Sequence, residues 1–440
     1  MRPMTGLILA QACAYLGTRL AMIAIPWFVL ETTGSPTHMG LVTLCELGAY
    51  TLARLFVGPV LDRIGQRAVS IRVDLLAAAA LAAVPLLFAA GLLPFPLLLA
   101  LVTVIGLATG PSEAAKVSLA PFVARAAGVR VERVTGLTGT VDRLSMTVGP
   151  IAAGAVVAFL GALTALHLNA ALMITSALIT AVLLRRDTET VCRAGPDPEE
   201  GHGYLTRLHA GWRAIWGDVP LRTLTVMIMV TNIVDVAVMS LALPIWAHQG
   251  GMGPEAVGFV AGALGGASIL GSLIAAWAGH RLPRKATFFL CMVIGGPPRV
   301  LVLALDVPLW VVLTVWAASG LFGGLINPLL SAIIFERLPL TMVGRGMSML
   351  GALTRVGAPI AAPGIGAAIG LLGVAPVLVV GAFVHLAAVL LPMFGAASRA
   401  LGRPAEEPDP DMRTPAGENP DRRSRSRSDP GPDPEPDQLL

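Results

Sequence analysis

Charge is scarce in this sequence: Asp, Glu, Lys and Arg make up 13% of 440 residues, and lysine is confined to Lys116 and Lys285. Soluble domains carry roughly 25% charged residues, so this chain, with 55% hydrophobic residues, does not read as a water-soluble globule. Cysteine is also sparse. Cys13, Cys45, Cys192 and Cys291 fall singly, which excludes a zinc spacing and a disulfide framework. No Gly-Lys-Ser/Thr phosphate loop is present, the histidines are scattered, and no serine or cysteine has a readable base nearby, so neither ATP use nor enzyme chemistry is expected, and no metal. The net charge of +4 arises from arginines gathered between apolar runs and does not imply nucleic acid.

What the chain has instead is apolar sequence of membrane length. A bilayer span takes about 20 residues, and twelve runs qualify: 6–30, 38–61, 69–90, 95–121, 134–159, 162–184, 221–247, 255–279, 286–305, 309–334, 346–371 and 375–397. Only Arg2 precedes the first run, which is too long for the apolar core of a cleaved leader and reads as a span. Arg63 and Arg67, Arg125, Arg130 and Arg133, Arg281, Arg284 and Lys285, and Arg337 and Arg345 follow spans two, four, eight and ten, all on one side. The opposite loops hold neither Lys nor Arg. The positive-inside rule then puts both termini in the cytoplasm of a multi-pass inner-membrane protein surrounded by lipid.

Four segments result: a six-span bundle over 1–184, a linker over 185–220, a second six-span bundle over 221–397 and a tail over 398–440. The linker begins with a Pro-, Gly- and acid-rich stretch expected to be flexible. It continues with Leu205, Leu208, Trp212, Ile215 and Trp216 at helical spacing, a helix expected to lie on the inner leaflet or to pack against the bundle. The tail is rich in Pro, Asp, Glu and Arg and is expected to be disordered. Val148-Gly-Pro-Ile-Ala-Ala-Gly154 in span five is echoed by residues 356–364 in span eleven, so the halves read as related repeats of the kind that expose a central site alternately.

Residues 58–67 read Gly-Pro-Val-Leu-Asp-Arg-Ile-Gly-Gln-Arg and must lie where one span ends and the next begins, because charges are costly in hydrocarbon. This stretch resembles the signature loop between helices two and three of the major facilitator superfamily. The resemblance implies an all-α membrane protein of twelve transmembrane helices in two six-helix bundles. It also makes Gly58, Asp62, Arg63, Gly65 and Arg67 a conformational latch, in which Asp62 meets the start of helix eleven around Gly346 to Ser348. Gly149, Pro150 and Gly154 resemble the motif that marks the superfamily's proton-coupled antiporters. Pro150 removes one helical hydrogen bond, and the glycines permit close helix approach.

Ionisable groups inside spans are the remaining candidates. Arg19 and Asp235 each lie about 20 Å along their spans, near the midplane. By resemblance, Arg19, Glu113, Asp235 and Asn327 line the central cavity of spans one, four, seven and ten. Asp142, Asp235 and Glu46 are candidates for taking up the proton, since burial favours the neutral form of a carboxyl group; the competing reading is an ion pair with Arg19, Arg54, Arg143 or Arg355. Glu113 and Lys116, three apart on one helix, are expected to pair locally.

Leu16-Gly17, residues 24–30 reading Ala-Ile-Pro-Trp-Phe-Val-Leu, Thr33-Gly34-Ser35-Pro36 and the segment from Gly211 resemble the drug and proton antiporter branch that includes macrolide efflux proteins and siderophore exporters. Span four lacks the arginine found near its start in other antiporter branches. The resemblance implies a monomeric exporter of amphipathic small molecules that uses the proton gradient and no cofactor. A siderophore, lysophospholipid or own-metabolite exporter, a proton-coupled importer, and a receptor or scaffold that transports nothing remain open as alternatives.

Overall fold

The computed structural model describes residues 2–184, 209, 212–213, 215–278, 283–337 and 343–394. The linker stretch expected to be flexible, Leu205, Leu208, Cys192 and the tail expected to be disordered lie outside the described residues. Among the described residues twelve helices are long and apolar enough to cross a membrane: Pro3–Thr33, Pro36–Phe56, Gln66–Ala89, Phe95–Ala127, Val131–Leu160, Ala162–Leu183, Val219–Gln249, Pro254–Trp277, Lys285–Ala304, Leu309–Ser331, Met349–Leu372 and Val374–Phe394. They are numbered one to twelve below. The described structure is all-α.

Local sequence explains most of the boundaries. Ser35 caps span two by accepting from the His38 N–H, and the Asp218 carboxylate accepts from the Leu221 N–H at the start of span seven. Span two ends at Phe56 rather than running on to residue 61. Pro59 follows in the first turn of a separate short helix, Gly58–Ile64, where its missing N–H costs nothing; the expected loop is therefore a helical turn that closes at Gly65 with φ of 91°. Span seven carries a wider π turn over Val238–Ala242, and span nine breaks at Gly296 before Pro297 and Pro298 restart it.

Within the first half, span one packs on five and six, and span four on two and three. In the second, span seven packs on eleven and twelve and span ten on eight and nine. The halves meet chiefly through two helix pairs, two with eleven and five with eight. Glycine brings these pairs together: a Cβ on Gly40 would lie 2.9 Å from Pro363 Cα, and one on Gly258 would lie 2.6 Å from the Pro150 carbonyl oxygen.

The two ends of the molecule differ. At the end away from the loop arginines, one continuous apolar core takes in Trp27, Val42, Leu81, Ile105 and Leu166 from the first half and Leu241, Val260, Trp316, Ile369 and Leu378 from the second. Trp27 of span one meets the His248 ring of span seven edge-on at 5.8 Å there. At the basic end the apolar clusters divide by half. Leu7, Leu119, Val123 and Leu184 form one, and Met227, Phe288, Phe289 and Val389 form another. The described end of the linker belongs to the second half, with Ile215 buried among Leu221, Ile334, Met349 and Leu350. Among the described residues the apolar core thus spans both halves at one end and is divided between them at the other.

Candidate functional site

Polar side chains inside the spans fall into four groups. In span five, Asp142 lies 3.8 Å from Arg19 of span one. Gly149 makes room for that arginine, since a Cβ there would lie 2.7 Å from Arg19 Cγ. Arg19 and Asp142 therefore meet as one of the anticipated ion pairs, and Gly149 serves it directly. Pro150 and Gly154 face span eight instead, with a Cβ on Gly154 only 2.8 Å from the Pro254 carbonyl oxygen.

Glu113 does not pair with Lys116. Its Oε2 accepts from Tyr50 Oη at 2.6 Å and Arg54 Nη1 at 3.0 Å, both on span two. Lys116 points the other way, into the first bundle, where its ammonium group donates to both oxygens of Asp74 at 2.8 Å and to Ser112 Oγ at 2.6 Å. Ser112 and Ser176 also donate to Asp74. Side chains three apart on a helix can meet, but here each found a stronger partner on a neighbouring span. Asp74 and Lys116 are essentially fully buried, and every strong donor or acceptor in the group is used.

The third group lies in the second half. Asp235 of span seven pairs with Arg299 of span nine, not with any of the four arginines anticipated for it, and His385 Nδ1 of span twelve stands 3.7 Å from the same carboxylate oxygen. These residues line a cavity of about 260 Å³ together with Asn232, Ser268 and Asn327. Glu46 of span two faces a second cavity of about 240 Å³ between the halves, walled by Met22, Pro26, Leu47 and Met239, and Asp235 lines this one as well. Among the described residues Glu46 has no hydrogen bond or ion pair.

The fourth group is the turn after span two. Arg67 donates to the carbonyl oxygens of Leu184 and, at 2.7 Å, Ala181, capping the end of span six where helix carbonyls lack partners. Gly58 opens the short helix and Gly65 closes it, while Asp62 and Arg63 are exposed. No hydrogen bond or ion pair to Asp62 occurs among the described residues.

Tyr50, Asp74, Arg299 and His385 were not anticipated. Arg299 and His385 are polar residues set in apolar runs, a signal of the same kind as the one that drew attention to Asp235. Among the described residues no cluster of His, Cys, Asp and Glu could hold a metal ion. The arrangement offers paired charges and two cavities that share Asp235 in their walls.

Comparison with known proteins places the chain. The sequence model described as Major Facilitator Superfamily matches residues 7–249 and 225–429. The multidrug efflux pump Tap of Mycobacterium tuberculosis is 27% identical over 367 residues, covering 80% of this chain and 84% of that protein. Tap of Mycolicibacterium fortuitum is 26% identical over 362 residues, covering 81% and 87%. Among solved structures, a variant of the nucleoside transporter NupG superposes with a TM-score of 0.75 at 14% identity, covering 91% of this chain and 100% of that one. A bacterial homologue of the human lysosomal transporter Spinster, in an inward-facing and unoccupied conformation, gives 0.63 at 14%, covering 92% and 98%. At such identities the structural matches speak for the fold alone.

Proposed function

Because the chain belongs to the major facilitator superfamily, we propose that it exports amphipathic small molecules across the cytoplasmic membrane in exchange for protons, by alternating access. The observation that carries this is the asymmetry of its ends, one apolar core spanning both halves at one end against separate cores at the other. A solute path sealed at one end only is one of the two states that alternating access requires. The arginines gathered at the end with separate cores support a cytoplasmic placement of that end and of both termini. Similarity to multidrug efflux pumps supports drug-like cargo and outward transport. Met22, Leu47, Val236 and Met239 in the wall of the cavity between the halves suit loosely specific apolar contact.

Proton coupling falls to a carboxylate whose environment changes as the halves move. Asp74 sits within one bundle with every acceptor engaged, so rocking of the halves leaves it untouched. Asp235 and Glu46 come from opposite halves and face one cavity, so their surroundings change most; Asp142 and Arg19 share a half and act as a supporting pair. The latch around Asp62 engages span eleven in the other state, when the parted end closes. The protein works as a monomer, since the path lies inside one chain.

The test is accumulation of fluorescent lipophilic dyes and macrolides in an efflux-deficient bacterium, with and without protonophore. Export that stops with protonophore supports the reading; wild-type protein that moves nothing on the panel contradicts it.

A further inference from the structure

Span seven borders a third cavity, unlike the other two. It measures about 330 Å³, lies among spans seven, nine, eleven and twelve, and has only apolar side chains in its wall. Its floor is buried: Val234 and Val238 of span seven, Val300 of span nine, Ile369 of span eleven and Leu378 of span twelve are at most 8% exposed. Its rim is not. Leu372, Val380 and Val384 are 65%, 61% and 43% exposed, and with Gly364 and Pro376 they place the mouth between spans eleven and twelve, on the outer face of the second bundle. A glycine helps to keep the mouth open, for a Cβ on Gly364 would have nothing within 4 Å.

Depth and chemistry decide the occupant. The stretch from Pro376 to Val384 runs about 12 Å along span twelve, beginning just after the turn at Gly373, so the cavity reaches from the end away from the loop arginines toward the middle of the membrane. Its mouth therefore opens on hydrocarbon. Water gains nothing there, because a buried water needs several polar partners and the wall offers no polar side chain. The same wall excludes a headgroup or a charged solute. Left void, a space of this size would forfeit contacts for everything that lines it, and protein interiors keep few voids larger than a water molecule. An alkyl chain fits: it is apolar along its length, narrow enough to pass between two helices, and abundant at that depth of a bilayer. The floor also has a second side. Val234, Ala237, Val238 and Ala242 face the apolar cavity, whereas Asp235, Val236, Met239 and Ser240 face the cavity of Glu46, so span seven alone separates the two. The π turn Val238–Ala242 lies in this shared wall, and such turns are rare and frequent at functional sites.

We propose that this cavity is a phospholipid site: one acyl chain, from the leaflet away from the loop arginines, enters between spans eleven and twelve and braces the π turn of span seven from the side opposite the solute cavity. The headgroup of that lipid stays at the surface beside Leu372 and Pro376, so the site selects an alkyl chain and not a headgroup. The bilayer thereby acts as an effector, with lipid on one face of span seven and solute on the other. The site requires only that the chain spans a membrane, so it stands or falls apart from the identity and direction of the cargo.

The experiment places full-length protein in nanodiscs doped with a phosphatidylglycerol that carries a diazirine either at the end of one acyl chain or on the headgroup. After illumination, peptide mapping by mass spectrometry should find the acyl probe concentrated on residues 233–242 and 364–384 relative to the rest of the exposed helical surface, and the headgroup probe absent from 233–242. Gly364→Phe grows into open space and should lower that acyl labelling severalfold. Ala368→Leu fills the same cavity with a smaller side chain and serves if the phenylalanine disturbs folding, while Val182→Phe on the exposed face of span six should change nothing. Acyl labelling spread evenly over the exposed helices, or unchanged in the filled variants, overturns the site. A second readout addresses the π turn. In a background lacking the native cysteines, Met239→Cys should react with maleimide severalfold more slowly once phospholipid is added to detergent-purified protein, because a braced turn opens less often, and Gly364→Phe should remove most of that difference. Equal rates with and without lipid, or the same lipid effect in Gly364→Phe, overturn the bracing.

Discussion

Asp74 and Lys116 form the most deeply buried charged pair among the described residues, and their surroundings state what a charge needs inside a membrane protein. The ammonium group uses both carboxylate oxygens and a serine hydroxyl, while two serines complete the carboxylate. Lys116→Met strands a buried carboxylate and should cost about 3–5 kcal/mol of stability, whereas Asp74→Leu combined with Lys116→Met should recover most of it. Thermal unfolding of the detergent-purified variants reads this, and equal losses in the single and double variants would argue against the pairing. Side-chain partnership was the least legible level in the sequence. Arg19 with Asp142 was one of several pairings open to it, but Glu113 was assigned to Lys116 because the two are close in sequence. The true partners sit on spans two and three, and only the packing of those spans decides between them. Arg299 and His385 escaped for the same reason, since Asp235 finds them on spans nine and twelve.

At the scale of the elements, the seams between spans two and eleven and between five and eight carry the contact between the halves. Their glycines act toward the sealed end. A Cβ on Gly366 would lie 2.5 Å from the Pro36 carbonyl oxygen, whereas Gly136 and Gly139, toward the basic end of span five, have nothing within 4 Å. Gly258→Leu should wedge spans five and eight apart and loosen the sealed end. In a background lacking the native cysteines, Leu241→Cys, fully buried in that seal, should then react severalfold faster with a membrane-impermeant maleimide. Unchanged labelling would mean that the glycine seam does not hold the seal. The glycines of span five were legible as a close-packing motif, but their partner helix was not. The breaks in spans seven and nine were also missed. The π turn leaves no proline or glycine mark within Val238–Ala242, and Gly296-Pro297-Pro298 lay inside an otherwise unbroken apolar run.

For the molecule as a whole, the number of spans and their all-α character were written in the sequence, because twelve apolar runs of bilayer length admit few other readings. The conformation was not. Nothing in a residue pattern says which end is closed, since that depends on how the two halves rest against each other. The turn after span two shows the consequence. Arg67 is engaged with the end of span six, while Asp62 is exposed. Asp62→Asn should leave membrane insertion intact and slow transport by about tenfold, seen as unchanged protein level with reduced dye export. Full export by this variant would remove the latch from the account.

The central claim is exchange of an amphipathic solute for protons, and proteoliposomes with an imposed pH gradient test it most directly. Purified protein is reconstituted, and internal pH and uptake of a fluorescent lipophilic cation are followed together while the gradient is set and then collapsed with protonophore. The account predicts solute accumulation in protein-containing vesicles that follows the size of the gradient, with matching proton movement in the opposite direction and loss of both in Asp235→Asn. Solute movement that ignores the gradient, or proton flux unaltered by solute, would contradict it.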